Sequence, residues 1–172
     1  MGISQYIKEI GRGKDRARPL SREQASDLLG QILDGTVTDL EVGAFCLAMR
    51  IKGETPQEMA GFLDALRCRM HLVPVSSPPM VVLPSYNGAR KLPLLTPLLV
   101  LLLTQEGAAV LIHGTPTEDS RIFVSEVLEA AQIHLRRARE SIGFSKVAFM
   151  PAEVLSPALK RLLDIRRVVC LR

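Results

Sequence analysis

The sequence predicts an α/β protein with an all-α helical domain in front of it. Two observations carry that prediction. Over residues 1–73 apolar side chains recur with helical spacing behind three well-marked helix starts. Beyond the proline-rich stretch "PVSSPP", short apolar runs alternate with helical segments, the pattern of a parallel sheet with crossover helices. The expected division is a helical domain over 1–73, a linker over 74–79 and a partial α/β domain over 80–172. With 172 residues, 47% hydrophobic and 23% charged, the chain has a globular composition and not that of a disordered one.

The elements follow in order. Ile3, Tyr6, Ile7 and Ile10 are spaced for one face of a short helix, which "GRGKDRARP" breaks. Ser21 with Gln24, and Thr38 with Glu41, are capping-box pairs ahead of amphipathic runs. Thr55, Pro56 and Glu58 supply cap, first-turn proline and box for a third helix. Each helix carries one apolar stripe and must bury it against a neighbour. Met80–Leu83 reads as a buried strand. Residues from Leu94 or Leu95 to Glu106 read as a helix with Thr96 as its cap, apolar nearly all round and so expected to be buried on most sides. A strand over Ala109–Ile112, a helix from about Glu118 to Ala131, a strand over Val147–Met150 and a helix from Ser156-Pro157 complete the pattern, with a fourth strand expected near Val168. So thin a sheet predicts an incomplete α/β domain.

Several functional classes find no support. Cys46, Cys68 and Cys170 are odd in number and scattered, which argues for no disulfide framework; Cys46 is expected in the core. His71, His113 and His134 lack metal-ligand spacing, so no metal ligand is assigned. No nucleophile motif and no complete glycine-rich phosphate loop occurs, and no catalytic residue is assigned. The apolar run Leu98–Leu103 is too short to cross a bilayer and no secretory signal opens the chain, so a cytoplasmic protein with no membrane partner is expected.

What remains is anion chemistry. The formal charge of +4 is modest, but its placement is not even. Lys8, Arg12, Lys14, Arg16 and Arg18 form a basic arm, and Arg136, Arg137, Arg139 and Lys146 a second cluster, both suited to a polyanion. The loop "PSYNGARK" follows a predicted strand and leads to a helix start, on the rim where open parallel sheets bind ligands. There Asn87-Gly88 offers a sharp turn, Arg90 and Lys91 two cations, and Thr96 a hydroxyl. His113 and Gly114 follow the next strand on the same rim.

The stretch from Leu20 to Met70, with its "RIKGET" turn and acidic helix start, strongly resembles the helical domain of the anthranilate phosphoribosyltransferase family, also called glycosyl transferase family 3. The resemblance extends over essentially the whole chain from "IKEIGRGK". It implies a fold of the phosphoribosyltransferase and nucleoside-phosphorylase type, dimerisation through the helical domain, and phosphoribosyl pyrophosphate bound with magnesium. The family's catalytic loop is of the form GTGGD; here it is "PSYNGARKLPLLTP", where Gly88 and the Thr96 hydroxyl alone remain comparable. Its Lys-His-Gly-Asn turn is here Ile112-His113-Gly114-Thr115. The chain looks closer to a divergent DNA-binding branch of the family, which keeps "PSYNGARK" and the basic N-terminal stretch and whose members are longer, implying a chain cut short. The expected function is therefore a homodimeric, non-sequence-specific DNA binder without a cofactor. The alternatives are a phosphoribosyltransferase using phosphoribosyl pyrophosphate and magnesium, or a truncated inactive homologue.

Overall fold

In a computed structural model, residues 2–73, 80–89, 91–118, 121–133 and 147–169 are described. Among them the elements run α1 (Ser4–Ile10), α2 (Arg22–Leu33), α3 (Asp39–Lys52), α4 (Pro56–Arg67), β1 (Met80–Ser85), α5 (Thr96–Gln105), β2 (Ala109–Gly114), α6 (Val124–Ala130), β3 (Val147–Pro151), α7 (Ala152–Leu155) and α8 (Pro157–Val168). They form two units, one of Met1–Met70 with Ser156–Arg172 and one of His71–Leu155. The expected linker over 74–79 lies outside the described residues.

In the helical unit all three capping boxes form. Ser21, Thr38 and Thr55 each accept the backbone N–H three residues on, and Gln24, Glu41 and Glu58 reach back to the cap N–H. These reciprocal bonds satisfy helix-end donors that would otherwise be orphaned. The stripes meet in one core of Leu28, Ile32, Val42, Phe45 and their neighbours, with Phe45 and Phe62 edge to face at 5.9 Å. Glu58 is more than a capping residue. It is fully buried and also accepts the Leu20 N–H at 2.9 Å and the Lys52 ammonium at 2.7 Å.

α8 corrects the expected division, because it belongs to the helical unit and not to the α/β part. Ala158, Leu162 and Ile165 pack on the helical core, and Arg161 pairs with Asp39 at 2.6 Å. A helical period announces an apolar stripe but not which core receives it. The expected strand near Val168 is absent, since α8 runs through that residue.

The other unit is a sheet of order β1-β2-β3, parallel throughout, with Val82 opposite Leu111 and Leu111 opposite Ala148. Alternate residues Val110, Ile112, Val147 and Phe149 share a core with Val100 of α5 and Val124 and Leu128 of α6. β1 and β3 are the two edges of this sheet; β3 is buried along its length, whereas Val82 of β1 is half exposed, so the buried strand expected at Met80–Leu83 is only partly covered.

α5 overturns two expectations. Leu95 is helical and makes no side-chain cap bond, so Thr96 opens the helix from inside instead of capping it. Nor is the helix buried on most sides. Pro97 and Val100 are buried, while Leu98 (54%), Leu99, Leu101 and Leu102 (51%) face solvent. An all-apolar helix needs neighbours all round, and the described residues provide them on one side. α6 starts at Val124 instead of near Glu118, because Glu118–Arg121 and Ala89–Ile122 form β-bridges first. No helix among the described residues is long and apolar enough to cross a membrane.

Candidate functional site

The carboxyl ends of β1 and β2 bring the two sequence-predicted loops together. Ser85 and Gly114 are register partners, and the Thr115 N–H donates to Ser85 O at 3.0 Å. Gly114 adopts φ +149°, and a Cβ there would lie 2.1 Å from the Ser85 carbonyl oxygen. Its role is set by this close backbone crossing, which any side chain would block.

The "PSYNGARK" loop is clasped to the chain before α6. Ala89 and Ile122 exchange N–H···O bonds of 2.8 and 3.0 Å. The Arg121 guanidinium donates to the Asn87 side-chain oxygen and, at 3.1 Å, to Gly88 O. Beyond it, Glu126 accepts the Phe123 N–H and Ser125 donates to Pro116 O at 2.6 Å. Asn87 and Gly88 are held by contacts within the protein. A Cβ on Gly88 would lie 2.7 Å from Ile122 O and 2.9 Å from the Phe123 ring. The glycine is needed for packing between loops, and the Asn87 oxygen is occupied within the protein.

His113 makes a polar partnership the sequence did not indicate. Its Nδ1 lies 3.0 Å from the Tyr86 hydroxyl, with the rings edge to face at 5.4 Å. Burial pushes the imidazole below its ordinary pKa and the phenol above its own. A neutral imidazole and a protonated phenol therefore share the bond near neutral pH. Tyr86 stood within the quoted loop without a signal of its own. Arg121 lies 34 residues from Asn87 and only the sheet brings them together.

Of the predicted cations here, Lys91 is exposed and has no carboxylate partner among the described residues. Arg90 lies outside them, as do His134, Arg136, Arg137, Arg139, Lys146 and Cys170. In the helical unit, Lys8, Arg12, Lys14, Arg16 and Arg18 are all exposed. Glu9 engages Arg12 at 2.8 Å and Arg18 at 3.9 Å. Among the described residues no carboxylate pairs with Lys8, Lys14 or Arg16. Cys46 is half-buried and packs against the helical core.

Phosphoribosyl pyrophosphate with magnesium fits these residues poorly. Gly88 packs with the side a Cβ would occupy against Ile122 and Phe123, and the Asn87 oxygen is engaged by Arg121.

Residues 4–70 match the model of the glycosyl transferase family, helical bundle domain. An uncharacterized protein of Escherichia coli (strain K12), YbiB, is 40% identical over 96% of this chain and 54% of its own length. The anthranilate phosphoribosyltransferase of Methanosarcina acetivorans is 33% identical over 99% of this chain and 46% of its own. Among solved structures, anthranilate phosphoribosyltransferase from Thermus thermophilus superposes with TM-score 0.77 at 24% identity, over 97% of this chain and 51% of that one. The chain spans about half the length of the relatives it matches.

Proposed function

The chain belongs to the anthranilate phosphoribosyltransferase-like proteins of the glycosyl transferase family, and from that premise we propose that it is a cytoplasmic, non-sequence-specific DNA-binding homodimer and not a transferase. The observation that carries this reading is the basic arm. Five cations stand exposed between Lys8 and Arg18, and three of them have no carboxylate partner among the described residues. Exposed, unpaired ammonium and guanidinium groups release counterions on meeting phosphate, which gives affinity without sequence readout. Lys91, on the approach to the N-terminus of α5, adds a cation to an end already favourable to anions. On this reading His113 and Gly114 shape the rim beside Lys91, and the arm of the helical unit carries the phosphate contacts.

The homodimer is supported by a separate feature. Leu40 (84%), Leu47 (53%) and Ile51 (50%) form an exposed stripe along one side of α3. Such a stripe suits a two-fold interface, in which the same patch meets itself. Dimerisation doubles the number of arms on one duplex and raises avidity.

The test is fluorescence anisotropy with duplex DNA over a salt series, beside binding of phosphoribosyl pyrophosphate with magnesium. We expect affinity to fall steeply with salt for any DNA sequence. The double substitution Lys14→Ala, Arg16→Ala is expected to reduce the log–log slope by about 1.8, at about 0.9 for each phosphate no longer neutralised. Saturable, magnesium-dependent binding of the activated sugar with no DNA binding would favour the transferase. In analytical ultracentrifugation Leu47→Glu is expected to turn a dimer into a monomer and weaken DNA binding with it. A wild-type protein that sediments as a monomer refutes the dimer.

A further inference from the structure

The cations of the basic arm are of two kinds, and Glu9 in the last turn of α1 divides them. Its Oε1 accepts from the Arg12 guanidinium at 2.8 Å, and its Oε2 lies 3.9 Å from the Arg18 guanidinium. Backbone bonds bring these groups together. Past α1 the chain turns at Gly13, whose φ of +82° favours glycine, and the Ala17 N–H donates to Gly13 O at 3.0 Å. The Arg18 N–H then donates to Glu9 O at 3.0 Å, which closes residues 9–18 into a loop. Both ends of the loop are anchored. Ile10 is buried in the helical core on one side, and on the other Leu20 is buried with its N–H on Glu58. The arm is a folded loop, with Lys14 and Arg16 midway along it and Glu9 where its ends meet.

Arg12 and the midway cations would meet phosphate on different terms. An exposed ion pair is by itself a weak hold. Arg12 has a second one: its Nε donates to Lys8 O at 3.0 Å, among the carbonyls that a helix end leaves without an intrahelical partner. A duplex that recruited Arg12 would have to break both bonds. It would also bring its phosphates beside the bare Glu9 carboxylate, a like-charge contact. Lys14 and Arg16 carry no such cost, since each is exposed and no carboxylate pairs with it among the described residues.

Resting on the DNA-binding reading above, we infer that Glu9 is an internal stand-in for phosphate. It holds Arg12, and more loosely Arg18, away from the duplex, and so sets how many cations of the arm meet DNA. Of the five, Lys8, Lys14 and Arg16 make the phosphate contacts. Removing the Glu9 charge therefore strengthens binding, the opposite of what losing a merely structural contact does.

The experiment is fluorescence anisotropy of the full chain with duplex DNA over a salt series. It compares the parent with Glu9→Gln, with Asp15→Asn, and with Glu9→Gln combined with Arg12→Gln. Glu9→Gln is expected to tighten binding about fivefold or more at about 0.1 M salt and to steepen the log–log slope by about 0.9, for one further phosphate neutralised. Asp15→Asn removes the same formal charge from the same loop without releasing an arginine, and should keep the parent's slope. Adding Arg12→Gln to Glu9→Gln should remove most of the gain. Circular dichroism confirms that each variant is folded. The proposal is overturned if Glu9→Gln binds no more tightly than the parent, if Asp15→Asn gains as much, or if most of the gain survives Arg12→Gln. A parent that binds no DNA at any salt refutes the DNA-binding reading and this proposal with it. A parent that binds while Glu9→Gln gains nothing refutes this proposal alone.

Discussion

Replacing Glu58 by alanine is expected to destabilise the helical unit by about 3–5 kcal/mol, the cost of stranding one partner of a buried ion pair. The side chain is wholly buried and Lys52, its partner at 2.7 Å, is 7% exposed. Alanine would leave that ammonium without its carboxylate and the Leu20 and Thr55 N–H groups without acceptors. Burial alone would push the Glu58 carboxyl above the ordinary range. The bonds from Leu20, Lys52 and Thr55 together outweigh burial, so its pKa lies below that range. A carboxyl depressed by folding stabilises the native state above its unfolded pKa of about 4.3. That contribution is lost as pH falls through the lower folded value. Hydrogen exchange of the α2 and α4 amides should therefore show the parent losing protection below about pH 4. The Glu58→Ala protein should start weaker at pH 7 and show a flatter acid dependence. An equal acid dependence in both proteins would remove Glu58 from this role.

Gly114→Ala is expected to have the other large effect, more than about 4 kcal/mol. The new Cβ would meet the Ser85 carbonyl oxygen at 2.1 Å and its carbon at 2.4 Å, at a φ that side-chain-bearing residues rarely adopt. Both obstructing atoms are backbone of the neighbouring strand, so no rotamer change relieves the clash. The amides of β1 and β2 should lose exchange protection first, and the Tyr86–His113 contact with them. Gly88→Ala makes the informative comparison. Its nearest obstacle stands farther off, at 2.7 Å, and its φ is ordinary, so a smaller loss is expected. Equal losses at the two positions would mean that strand crossing is not what Gly114 serves.

How far the fold could be read from the residues depended on how local each signal was. The starts of α2, α3 and α4 were legible because a capping box lies within four residues and needs nothing from the rest of the molecule. The order of strands and helices from α1 to β3 was legible for the same reason. Thr96 misled because the helix entry depends on the conformation of Leu95, which the residue type does not declare. The placement of α8 was not legible, since its stripe fits either core. The meeting of the two rim loops was legible, but the contacts their residues make within the protein were not. Asn87 looked free because Arg121 is distant in sequence, and Gly88 looked like a turn because its crowding comes from Ile122 and Phe123. Glu58 showed the local half of its role, the capping box. Its bond to Leu20 spans 38 residues and carries no local mark.

The leucines along the outer side of α5 have a thermodynamic consequence. Apolar surface that is already wet in the native state is not newly hydrated when the chain unfolds, so it adds nothing to the heat-capacity increment or to the urea slope. Calorimetric enthalpies for this protein will consequently fall off less steeply on cooling than chain length suggests. Any second polypeptide that covers Leu98, Leu99, Leu101 and Leu102 would announce itself as a negative heat-capacity change on association, whatever the sign of the binding enthalpy.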